Sequence, residues 1–77
     1  MYTNDYGKYF SQNFQRLRKE KGVSIREMAD QCGLTHTSIL RYEHGALPCM
    51  LCALILADYF GVTLDELIRP HGKPTAE

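Results

Sequence analysis

A chain of 77 residues, 44% hydrophobic and 23% charged, is long enough for one domain with a single modest core and too short for two. That composition excludes a disordered or low-complexity segment. Nine basic residues balance nine acidic ones, which excludes a partner gathered by bulk charge alone.

The charge is not evenly spread. Residues 1–45 carry seven bases against five acids, and residues 46–77 carry two against four. The sign of this asymmetry says which end would face a polyanion. The longest apolar-rich run, "PCMLCALILADYFGV", is broken by Asp58 and is too short to span a bilayer. No basic segment followed by an apolar one opens the chain, so no signal peptide is expected. Three cysteines at no framework spacing argue against a disulfide scaffold and for a reducing, cytoplasmic setting.

In chain order, the pattern predicts helices and no strands. Residues 1–8 read as a flexible N-terminal segment, and its tyrosines (Tyr2, Tyr6 and, just beyond, Tyr9) suit packing over the first helix better than an extended arm. Phe10, Phe14 and Leu17 fall at i, i+4 and i+7 and predict a first helix near 9–21, stopped by Gly22. "VSIREM" places Ser24 as N-cap with Glu27 three residues on, flanked by Val23 and Met28 as a hydrophobic staple, and opens a helix near 24–32. "LTHTSI" repeats the staple around Thr35 and opens a third helix, 35–44. Pro48 precedes a fourth, 49–60. "VTLDEL" repeats cap and staple at Thr63 and Glu66 for a fifth, 63–69. Gly22, Gly33, Gly45 and Gly61 each follow an apolar-periodic segment, where a left-handed residue ends a helix. Residues 70–77 read as a flexible tail, leaving 9–69 as the domain.

The second and third helices are short and joined by "CGLT", the pattern of a helix-turn-helix. On the third helix Ile39, Tyr42 and small Ser38 turn inward. His36, Thr37, Leu40, Arg41 and His44 turn out. Short polar groups at a helix tip, with an Arg one turn on, suit a helix probing a DNA major groove.

From Phe10 to Ile68, "FQRLRKEKGVSIREMADQCGLTHTSILRYEHGALP" followed by "LADYFGVTLDELI" resembles the phage Cro/cI repressor-like (Xre) helix-turn-helix family. The resemblance implies an all-α, lambda repressor-like five-helix bundle. It implies base contacts from His36, Thr37 and Arg41, and backbone contacts from Ser24, Arg26, Thr35 and His44, with phosphates at the N-termini of helices two and four. It also implies an ion pair of Arg18 with Glu43 that sets the pose of the third helix. One departure stands out. The family often carries Gln directly after the second helix's cap, and this chain has Ile25, so that brace is absent or supplied by Arg26.

Two further features need weighing. "CMLC" is a C-x-x-C, but a structural zinc wants four ligands and a thioredoxin-like role wants a βαβ context. The default reading is therefore cysteine as a small hydrophobe, with Cys49 at a cap and Cys32 in the core, and no metal or cofactor is expected. In the fourth helix, Met50, Ala53, Leu54, Leu56, Ala57 and Phe60 would fill the inner face. Leu51, Ile55 and Tyr59 are then left as an outer apolar stripe, read as a homodimer seam.

The expected function is sequence-specific binding of a palindromic double-stranded DNA operator by a homodimeric transcriptional regulator, a repressor by preference. The small stand-alone regulators of the family, among them restriction–modification controllers, are of this size. The alternative is an antitoxin-type module whose fourth-helix face captures a partner protein. No paired carboxylates, nucleophile–base constellation or phosphate-cradling Gly loop suggests an enzyme.

Overall fold

Three helix starts are built by side chains that accept from the third amide of their own helix. Ser24 Oγ takes the Glu27 N–H at 3.1 Å, Thr35 Oγ1 takes that of Ser38 at 3.1 Å, and Thr63 Oγ1 takes that of Glu66 at 3.1 Å. Each such cap stabilises its helix by about 1 kcal/mol. In the computed structural model, which describes residues 5–69, the helices are α1 (Tyr6–Lys21), α2 (Ile25–Cys32), α3 (His36–Glu43), α4 (Met50–Phe60) and α5 (Leu64–Ile68). At the other ends, Gly22, Gly33 and Gly61 are left-handed, with φ of 71–74°. At the first of these the Gly22 N–H reaches back to the Arg18 carbonyl at 3.0 Å. No helix among the described residues is long and apolar enough to cross a membrane.

The core is drawn from every helix: Phe10, Phe14 and Leu17 of α1, Met28 and Ala29 of α2, Ile39 and Tyr42 of α3, Leu56 and Ala57 of α4, and Leu67 of α5. Burial of each large side chain contributes roughly 1.5–3 kcal/mol. Aromatic rings form its centre. Tyr42 meets Phe10 and Phe14 edge-on at 6.0 and 6.2 Å, and Phe14 meets Phe60 likewise at 5.9 Å. The buried Asn13 on α1 uses its amide to hold the Leu67 and Arg69 carbonyls, at 2.9 and 2.7 Å, which closes the end of α5 against α1. In this way α1 becomes the spine on which α3, α4 and α5 are laid.

Three expectations need correction. The first helix begins at Tyr6 rather than Tyr9. Thus Tyr6, Gly7 and Lys8 are helical, while residues 1–4 and the tail 70–77 lie outside the described residues. Within α4, Met50 and Leu54 are not inner-face residues: they are 73% and 46% exposed. The helix is turned so that Cys52, Leu56, Ala57 and Phe60 meet the core, because α4 lies against α1, α2 and α5. Tyr59 leaves the outer stripe for the same reason: it packs against the core.

Candidate nucleic-acid interface

Helix α3 presents a continuous exposed face. His36, Thr37, Leu40, Arg41 and His44 all lie on it, and Thr37, Leu40, Arg41, His44 and Ala46 line one open hollow. Among the described residues, the side chains of His36, Thr37 and Arg41 have no hydrogen-bond or ion-pair partner. The guanidinium of Arg41 is thus a free planar donor, the shape that engages guanine O6 and N7 or a phosphate. Leu40 stands between them, 40% exposed, an apolar surface of the kind a thymine methyl meets.

What stands at each helix N-terminus decides where an anion can be received. The first turn of α2 is closed by a capping box, in which Glu27 Oε1 accepts the Ser24 N–H at 2.9 Å. α5 is closed the same way by Glu66. α3 has no acidic residue in its first turn, and Thr35 and Ser38 share a hydroxyl–hydroxyl bond of 2.8 Å instead. α4 also has none. The free amides and positive dipole ends of α3 and α4 are therefore the ones open to phosphate. At α2 the Ser24 oxygen accepts the cap bond, which leaves its hydroxyl proton and the exposed Arg26 as the donors at that end of the helix.

The pose of α3 is set from behind. Arg18 on α1 donates from Nε to Glu43 Oε1 at 3.2 Å and from Nη2 to Oε2 at 3.1 Å, a two-pronged pair whose side chains are only 17% and 14% exposed. Its Nη1 donates to the Val23 carbonyl at 3.0 Å, which ties in the α1–α2 turn. Gln15, one turn before Arg18, donates its side-chain amide to the Glu43 carbonyl at 2.8 Å. Sequence reading missed Gln15. Its only signal is the three-residue spacing from Arg18, which puts both on one face of α1.

The residues of the expected dimer stripe separate. Leu51 is 66% exposed and Ile55 half-buried. Tyr59 instead hydrogen-bonds the Gln31 side chain of α2 and lies under Lys21, whose Nζ is 4.8 Å from the ring centre. Leu47, Met50 and Leu54 join Leu51 as exposed apolar side chains at the start of α4, a cluster of the kind that marks an interface.

The cysteines differ in their surroundings. Burial pushes the Cys32 thiol up, partly offset by Lys21. The exposed Cys49 is lowered, first by the Cys52 amide and then by the Cys52 thiol. Tyr42 is pushed up to about 12, first by burial and then by the neighbouring Cys52. No group of three or more metal-ligating side chains is gathered among the described residues.

Comparison with known proteins fits this geometry. A family profile described as helix-turn-helix matches residues 14–67, from the middle of α1 to α5. The chain belongs to the Cro/cI-like (Xre) helix-turn-helix family. Within it, the chain is 33% identical over 67 residues to the uncharacterized HTH-type transcriptional regulator y4dJ of Sinorhizobium fredii, covering 86% of this chain and 87% of that protein. It is 32% identical over 60 residues to the HTH-type transcriptional activator BcrR of Enterococcus faecalis, and 31% identical over 61 to the uncharacterized HTH-type transcriptional regulator YqaE of Bacillus subtilis. These matches cover 77% and 78% of this chain but only 29% and 53% of the two regulators. The fold is shared with the solution structure of the SOS-response transcriptional repressor LexA from Eubacterium rectale, at a TM-score of 0.86 and 23% identity, covering all of this chain and 83% of that one. The family is one of DNA-binding transcriptional regulators, not of enzymes.

Proposed function

We propose that this chain is a homodimeric, sequence-specific DNA-binding regulator of the cytoplasm, with α3 as its reading helix in the major groove. The observation that carries the reading is the state of α3. Its first turn is free of acids and its Arg41 is unpaired among the described residues, while Glu43 at its other end is clamped to α1 through side chain and backbone. Thr37 and Arg41 meet base edges, and His36 a base or a phosphate. Thr35, Arg26 and His44 hold the sugar–phosphate backbone on either side, with the Ser24 hydroxyl as a further donor. Repression is the preferred outcome, since a regulator seated on an operator can block it by occupancy alone.

Zero net charge leaves little non-specific attraction to draw on, so doubling the interface matters. Two copies related by a two-fold axis would place two reading helices about 34 Å apart on a palindromic site. The apolar cluster of Leu47, Met50, Leu51 and Leu54 is the surface for that pairing. The same cluster supports the second reading, an antitoxin-type module that captures a partner protein there and touches DNA secondarily.

Selection of bound sequences from a random duplex pool, at two salt concentrations, tests the proposal. The expected result is a palindromic consensus with half-sites about one turn apart and affinity that falls as salt rises. In Arg41→Ala, one base position per half-site should lose its preference, at a cost of roughly 1–3 kcal/mol. A pool that returns no consensus overturns the reading.

A further inference from the structure

The first turn of α4 carries a pair of thiols that DNA recognition does not explain. Cys49 is the N-cap, with extended backbone (φ −70°, ψ 169°), and Cys52 is the third residue of the helix. The chain shows elsewhere what those two positions do. At α2 and α5 the N-cap and third residues are Ser24 with Glu27 and Thr63 with Glu66, and in both their side chains and backbones bond reciprocally. The cap at α2 has nearly the same backbone angles as Cys49 (φ −80°, ψ 167°). At α3 and α5 the side chains of these two positions also meet directly, Thr35 Oγ1 with Ser38 Oγ at 2.8 Å and Thr63 Oγ1 with Glu66 Oε1 at 3.3 Å, and α4 places a thiol at each of the same two positions.

From this placement we infer that Cys49 and Cys52 form a redox pair that closes to a disulfide across the first turn of α4. The order of events follows from exposure. Cys49 is exposed at a helix N-terminus with no acid in its first turn, and Cys52 is half-buried against the core. The lowered thiol pKa of Cys49 fits the role of attacking group. With hydrogen peroxide as oxidant, the Cys49 thiolate attacks one oxygen, the O–O bond breaks and hydroxide leaves, giving a sulfenic acid. The Cys52 sulfur then attacks the Cys49 sulfur. The S–S bond forms, the S–O bond breaks, and the proton of the Cys52 thiol leaves with the oxygen as water. The hydroxide of the first step takes up the proton that Cys49 had released. Two thiols are thereby oxidised by two electrons and one peroxide is reduced to two waters.

Closing this pair reaches the reading helix through Tyr42. Tyr42 of α3 is a core residue and Cys52 of α4 packs against that core, with Cys52, after burial, among the causes that raise the Tyr42 pKa, so a Cys52 sulfur drawn toward Cys49 changes the packing behind α3. The seat of α3 on the core is altered with it. This second part rests on the DNA-binding reading, whereas the disulfide itself does not.

The test separates the two. The folded protein is treated with hydrogen peroxide, then denatured, alkylated and cut with trypsin. Cleavage after Arg26 and Arg41 puts Cys32 on one peptide and both Cys49 and Cys52 on the next. The expected result is a monomer lighter by two hydrogens, with the Cys49–Cys52 peptide unalkylated and the Cys32 peptide alkylated. Cys52→Ser should abolish the closure and, given glutathione disulfide, accumulate a glutathione adduct at Cys49. Both cysteines alkylated after treatment, a disulfide between chains, or oxidation of Cys32 ahead of Cys49 overturns the redox pair. If the pair closes, oxidised and reduced protein are compared on the selected duplex. Binding weaker by roughly threefold or more, restored by a dithiol reductant, is expected for repacking behind α3. Equal binding overturns the coupling to α3 and leaves the redox pair standing.

Discussion

Gly7 of α1 lies so close to Gly45, just past the end of α3, that a Cβ added to Gly7 would stand 2.7 Å from the Gly45 carbonyl oxygen. The start of the first helix is thus laid directly on the turn that ends the reading helix. Gly7→Ala weighs two effects against each other. Helix propensity favours Ala by about 1 kcal/mol, but the clash is with backbone, not with a flexible side-chain end, and overpacking of this sort costs about 1–3 kcal/mol. The expected outcome is a net loss of stability, measured by chemical unfolding. A variant more stable than the parent would show that the contact yields.

Glu43→Ala removes the carboxylate from a mostly buried pair and leaves the Arg18 guanidinium with only the Val23 carbonyl. The expected cost is about 2–3 kcal/mol in stability, together with weaker duplex binding. Thermal unfolding and a binding titration on the same sample check it. Weaker binding at an unchanged melting temperature would contradict the clamp and imply direct contact of Glu43 with DNA.

Leu51→Glu places a charge in the middle of the exposed apolar cluster of α4. Sedimentation should report a monomer, with operator binding reduced and the fold intact by circular dichroism. Ile55→Glu should act in the same direction but at some cost in stability, since Ile55 is half-buried. A parent protein that is itself monomeric would favour the partner-capture reading.

Tyr42 gives an alkaline signature. Its folded pKa is raised from 10 to about 12, so the folded state keeps the proton that the unfolded state releases. The stability it supplies is complete below pH 10 and is lost as pH rises from there through about 12. Denaturant midpoints should fall across that window in the parent and fall less steeply in Tyr42→Phe. Parallel curves would contradict the assignment.

Much of this was legible in the sequence because it is local. Caps at Ser24, Thr35 and Thr63 bond within their own first turn, and a short-range interaction leaves a short-range motif. The start of α1 left none: Asp5 makes no side-chain cap bond, and the apolar periodicity begins only at Phe10. The rotation of α4 was hidden for a different reason. Leu51, Leu54, Ile55 and Leu56 surround the helix with similar side chains, so periodicity cannot choose between its faces. Asn13 left no pattern in the chain and Gln15 only its spacing from Arg18, since each side-chain amide bonds a carbonyl 54 or 28 residues away.

The grip of Gln15 and Arg18 on Glu43 has an evolutionary corollary. A reading element fastened at its far end by two neighbouring groups of one helix is an adjustable mount. Under the proposed function, small changes in that fastening would tilt the tip and alter which nucleotides come within range, while every residue proposed to meet the duplex stays the same. Relatives with identical reading residues could then drift to different operators through substitutions on the opposite side of the molecule.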